Sequence, residues 1–152
     1  MSISLSSTAF AAGAPIPADY SCKGRRISPP LAWSNSPAGA KSLALLMDDP
    51  DAPGGTFVHW VIYNIPASSL GLPEAIPTNG QLVDGTMQGN NGAGQVGYTA
   101  PCPPSGTHRY FFKLYALDTV LGLSPNATKD QLLKAMEGHI LSNGELMGTF
   151  SK

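Results

Sequence analysis

Arg109-Tyr-Phe-Phe-Lys-Leu-Tyr-Ala-Leu117 is the stretch on which the fold turns. Tyr110, Phe112, Leu114 and Ala116 fall on alternate positions, the period of a strand with one face in a core. Its aromatic content suits a pleated, half-buried surface. Working outward, Ser42–Met47 (SLALLM) and Val58–Ile65 (VHWVIYNI) are apolar at both parities, as strands buried on both faces are. Pro66 closes the second of these. Weaker strand signals lie at 81–84 and 95–98, between the turn formers Asn79-Gly80, Asp84-Gly85 and Asn91-Gly92. Residues 10–40 read as an irregular segment set by prolines. One helix is expected, late in the chain. Thr128 and Gln131 have capping-box spacing, Leu132, Leu133, Met136 and Ile140 follow at helical intervals, and Asn143-Gly144 is the expected stop. Strands first, one short helix after, and turns throughout predict an all-β, antiparallel β-sandwich. A single domain over residues 1–152 follows from the length.

Composition narrows the function. The chain has 17 Gly and 14 Pro with 42% hydrophobic residues, too apolar for disorder and too punctuated for a helical bundle. Only 12% of residues are charged and the net charge is −1, so no basic field exists to hold nucleic acid or an anionic membrane. Anion recognition must come from a local pocket. No apolar run approaches a spanning helix, and the N-terminus lacks the basic start and apolar core of an export signal. A cytoplasmic location is expected. Cys22 and Cys102 match no zinc or Cys-x-x-Cys spacing; two buried free thiols are the expected state, with one disulfide as the alternative.

Two loops carry chemistry-bearing residues. Asp48-Asp-Pro-Asp-Ala-Pro-Gly-Gly55 follows an apolar strand, and Pro50 and Pro53 each fix φ, so the loop is stiff. Taken alone it is a solvated acidic turn. His59 opens the next strand, sharing parity with Val61, Tyr63 and Ile65. Pro101-Cys-Pro-Pro-Ser-Gly-Thr107 precedes His108, which shares a face with Tyr110. Either histidine alone is more simply a core residue. Two of three histidines at strand entrances beside proline-locked loops instead predict one pocket walled by both loops. His139 reads as a helix-packing residue.

Asp49-Pro-Asp-Ala-Pro53 with His59-Trp60, and Pro103-Pro104-x-Gly106-x-His108-Arg-Tyr110, resemble the two signature regions of the phosphatidylethanolamine-binding protein family, closest to its short prokaryotic Raf-kinase-inhibitor-like branch. Tyr20-Ser-Cys-Lys-Gly24, Ser28-Pro-Pro-Leu-x-Trp33 and Tyr63-Asn-Ile-Pro66 add to it, so the resemblance spans nearly the whole chain. It implies a two-sheet Greek-key sandwich with one or two short C-terminal helices. It also implies a small cavity for phosphate-like groups, phospholipid headgroups among them, lined by Asp49, Pro53, His59, Pro103, Pro104, His108 and Tyr110. Phe57 stands where some relatives have tryptophan, and Ala100 where glycine is common.

Imidazole N–H groups, the Tyr110 hydroxyl and loop amides are donors for such an anion. The expected role of Asp49 is to orient a histidine and raise its pKa, so that affinity falls as pH climbs. Asp51 and Arg109 are expected to form a buried pair joining the loops. The expected protein is therefore a non-catalytic binder of a small anion such as phosphate, acetate or a phospholipid headgroup, needing no cofactor and no metal. By resemblance its protein partner is a kinase or serine protease that it inhibits, and it is a monomer or homodimer. The alternative is a hydrolase of phosphates or esters using Asp49, His59 and His108; Ser105 lacks a nucleophile elbow.

Overall fold

The structure, a computed structural model, describes residues 2–152. Among these residues eight strands and one α-helix form: β1 (Ser4–Ser6), β2 (Leu31–Ser34), β3 (Ser42–Asp49), β4 (Phe57–Pro66), β5 (Gly71–Leu72), β6 (Met87–Gln88), β7 (Thr107–Leu117), α1 (Lys129–Met136) and β8 (Ile140–Ser151). They build two antiparallel sheets, β1-β2-β5 and β6-β4-β3-β7-β8. Between the sheets lie Leu5 and Trp33 from the small sheet against Leu43, Leu45, Met47, Trp60, Ile62, Tyr110, Phe112 and Leu114 from the large one. Ala44, Leu46, Val61 and Tyr63 point the other way and pack under Leu132 and Met136 of α1. This second core is why the β3 and β4 sequences are apolar at both parities.

The single-face reading of β7 holds, but the parity read for β4 does not. Its pairing with β3 slips between Leu43 and Leu45 and again between Met47 and Asp48. Met47 faces Trp60 while Asp48 faces Val58, so His59 is the extra residue of a β-bulge. Each slip reverses the alternation. Val61 and Tyr63 stay in the outer core, whereas Ile65 packs between the sheets and the His59 ring lies against Tyr110 on the inner face.

The Thr128 capping box forms as expected, but α1 stops at Met136, and Gly138 turns the chain with a φ of 79°. Ile140 is not a helical residue. It opens β8, which pairs with β7 along nearly its whole length. A strand that satisfies a long backbone ladder outweighs the helical spacing of one apolar side chain. His139 therefore lies beyond the helix, half-exposed, with Nδ1 2.7 Å from Asp118 Oδ1. The two weak strand signals give only isolated bridges, Gln81 with Met87 and Asn90 with Val96; β6 lies between them. The irregular segment contains β2.

Gly144, expected to end a helix, has a different purpose. A Cβ there would collide with the Ile3 backbone, which crosses β8 where the Ile3 amide donates to the Asn143 carbonyl over 2.9 Å. Gly144→Ala is expected to destabilise by about 1–3 kcal/mol through this overpacking, read by urea denaturation. A neutral result would mean that the N-terminal segment yields freely.

Candidate functional site

Antiparallel pairing brings the end of β3 beside the beginnings of β4 and β7. Asp48 pairs with Val58 on one side and Phe111 on the other, and Asp49 reaches Phe57. The loops leaving these ends, residues 50–56 and 99–106, close over a cavity of about 290 Å³. All seven residues expected at the site line it: Asp49, Pro53, His59, Pro103, Pro104, His108 and Tyr110. Ala52, Thr99 and Cys102 also line it and were not foreseen; Phe57 and Ala100 complete the wall. A more open hollow of about 550 Å³ lies beside residues 123–127 and α1, but Lys134 is its sole charged wall.

The acidic bend distributes its three carboxylates to three places. Asp48 points to the outer face, where Lys113 and Lys129 lie 3.4 and 3.1 Å from Oδ2, fixing the start of α1 to the sheet. Asp49 turns inward. Its Oδ1 accepts from the Asp51 amide at 2.8 Å, which folds the loop over Pro50. Its Oδ2 lies 2.6 Å from His108 Nδ1, both side chains being over 90% buried. An ionised carboxylate only accepts, so Nδ1 carries the proton of this bond.

Asp51 stays at the rim. It holds Arg109 through three bonds of 2.9 Å, from the backbone amide, Nε and Nη2. The loops are tied as expected, but the pair is not buried: the Arg109 side chain is 52% exposed and that of Asp51 28%. Hydrogen bonds from Arg109 hold the Asp51 carboxyl down at about 2. A carboxyl depressed in this way favours the folded state above its ordinary range near 3.8 and loses that advantage as pH falls toward 2.

His59 is held differently from His108. The bulge frees its backbone carbonyl from the β3 ladder to accept from the Thr99 amide at 2.9 Å, while Nδ1 lies 2.7 Å from the Thr99 carbonyl. That carbonyl cannot donate, so Nδ1 bears the proton. Asp49 thus partners His108, and the raised pKa expected for a histidine does not apply to His59. Burial pushes the His59 pKa down, with the Thr99 bond and the Asp49 charge opposing it in part. Neither Nε2 has a protein partner, and neither is among the sealed polar atoms, so both open onto the cavity. The Tyr110 ring lies between the two imidazoles, 5.2 Å from His59 and 6.4 Å from His108. Burial and then the charges of Asp49 and Asp51 push its hydroxyl pKa up, so the proton stays available for donation.

Cys22 and Cys102 are disulfide-bonded, which overturns the expectation of buried free thiols. Cys102 is exposed on the cavity loop, and the Cys22 amide donates to the Pro101 carbonyl at 3.1 Å, so the two segments already lie side by side. Spacing gave no hint of this, because the partners are 80 residues apart.

A sandwich with an aspartate–histidine pair at one end defines a class, and comparison with known proteins places the chain within it. Residues 6–151 match the family described as phosphatidylethanolamine-binding protein. A UPF0098 protein of Methanothermobacter thermautotrophicus is 57% identical, with 90% of this chain and 91% of the relative aligned. One from Chlamydia muridarum is 49% identical over 97% and 98% of the two chains. Among solved structures, a putative phosphatidylethanolamine-binding protein homologue from Chlamydia trachomatis superposes with a TM-score of 0.92 at 47% identity, covering 99% of this chain and 98% of the other. E. coli YbcL, described as a member of the mammalian family, gives 0.91 at 29% identity, covering 100% and 99%. The chain belongs to the phosphatidylethanolamine-binding protein family.

Proposed function

We propose that this protein is a non-catalytic binder of a small phosphate-like oxyanion in the cavity between the two loops. The observation that carries the reading is the buried Asp49–His108 pair, with the carboxylate behind the ring and Nε2 facing the hollow. When that imidazole is protonated, Nε2–H and the Tyr110 hydroxyl are donors aimed at one volume, and charge-assisted bonds of this kind are the strong ones. The family's kinase- or protease-inhibiting role would operate around the rim, where Pro53, Pro104 and the Asp51–Arg109 pair are accessible.

The same pair is what a hydrolase would use, and for that reason catalysis is the second reading. Against it stands the supply of nucleophiles. Among the described residues the cavity wall carries no serine and no free thiol, Cys102 being bridged, and Ser105 lies outside it, exposed. Membrane spanning by helix has no support either: no helix among the described residues is long and apolar enough.

Titration of the protein with inorganic phosphate, followed by the ring signals of its three histidines, tests the reading. His59 and His108 should shift together while His139, outside the cavity, stays still. Unmoved cavity rings, or a response at His139 alone, would overturn it.

A further inference from the structure

The two imidazoles of the cavity do not offer the same chemistry. At His108 the ring proton on Nδ1 goes to a carboxylate, an arrangement that also supports a second proton on Nε2. At His59 the partner of Nδ1 is the Thr99 carbonyl, a neutral acceptor, at 2.7 Å. With Nδ1 protonated and the ring neutral, Nε2 is left as a bare lone pair. It has no protein donor, and the ring is 95% shielded from solvent. The groups facing it are Asp49 from β3, His108 and Tyr110 from β7, and the Phe57 ring 4.8 Å away on its own strand. Phe57 offers no hydrogen bond, and the Tyr110 hydroxyl has only one proton to give. Burial disfavours a second proton on His59.

We infer that the cavity selects an oxyanion that brings its own proton, a phosphate bearing P–OH, because His59 Nε2 needs a donor from the ligand. This rests on the anion-binding reading above and narrows it. A fully ionised oxyanion offers acceptors alone and sets lone pair against lone pair at His59. A site built to accept a hydroxyl proton rejects the analogue that lacks one, because its own buried acceptor is then left unpaired. Free phosphate and singly ionised phosphate monoesters satisfy the site. Sulfate and phosphodiesters, the latter being the linkage of a phospholipid headgroup, do not.

Three probes at pH 7 separate the causes by calorimetry. Inorganic phosphate carries a P–OH in both of its ionisation states. Sulfate carries two charges and no proton, and dimethyl phosphate one charge and no proton, so it controls for charge and stands for the lipid linkage. Phosphate should bind at least tenfold more tightly than either. His59→Asn keeps a side-chain amide at the Nδ1 position for Thr99 and removes Nε2, so it should bring phosphate down to the level of sulfate. If sulfate or dimethyl phosphate equals phosphate in the unaltered protein, the inference fails and the anion reading survives. If none of the three binds, both fail. An undiminished preference in His59→Asn would also overturn the assignment to His59. Should that variant not fold, the ring nitrogen shifts of His59 in the phosphate complex decide: Nε2 must be the unprotonated nitrogen, and a proton on it at pH 7 would end the case.

Discussion

Replacing both Cys22 and Cys102 by Ser should lower stability by about 4 kcal/mol, the largest loss expected from a change outside the core. The bridge joins residues 80 apart in sequence, and closing so long a loop removes much of the unfolded chain's freedom. For a chain of this length that corresponds to a fall in Tm of roughly 8–16 °C. The effect reaches the site, because Cys102 lines the cavity between Ala100 and Pro103. Phosphate affinity should fall with it as the proline loop loosens. A thiol titration of the untreated protein comes first and should find no free thiol. Two reactive thiols, or a Tm within about two degrees of the original, would restore the free-thiol state that the sequence suggested. The bridge also speaks against the cytoplasmic location expected from the N-terminus, since the cytosol of most cells keeps exposed cysteines reduced.

The difference between what the sequence discloses and what it hides follows from range. The faces of β7 and the double burial of β3 are local alternation, and they are legible because side-chain direction in a strand repeats every two residues. The loops were legible for a similar reason: prolines stiffen Asp48–Gly55 and residues 101–104 wherever they go. What bulges do is not local. His59 reads as a neighbour of Val61 and Tyr63, and only its pairing with β3 turns it to the side of Tyr110. The site exists because of that slip. Gly144 and Ile140 were misread together, since the reason for a glycine at 144 is a segment 141 positions earlier crossing above it. Thr99 was missed altogether. It acts through backbone groups that any residue would supply, so no side-chain signal could mark it. The second histidine's partner followed the same rule: Asp49 was found, but which imidazole it holds depends on β3 and β7 being neighbours.

Asp49→Ala should be the most damaging single change at the site, and it separates two duties of one carboxylate. Oδ1 shapes the loop by accepting the Asp51 amide, and Oδ2 holds the buried His108 ring. Removing one partner of a buried pair typically costs about 3–5 kcal/mol. Here the remaining group is an imidazole that can shed its charge, so the expected loss is nearer the lower end, about 2–3 kcal/mol. Phosphate affinity should fall at least tenfold, because the ring loses both its orientation and the negative charge that supports a proton on Nε2. Asp49→Asn divides these effects. The amide oxygen can still accept the Asp51 amide, so the loop and most of the stability should survive, as guanidinium denaturation would show. The negative charge is gone, and phosphate binding should fall about as far as in the alanine variant. If Asp49→Asn instead binds phosphate as the unaltered protein does, the charge behind His108 plays no part in recognition. The pair would then be a structural clasp between β3 and β7.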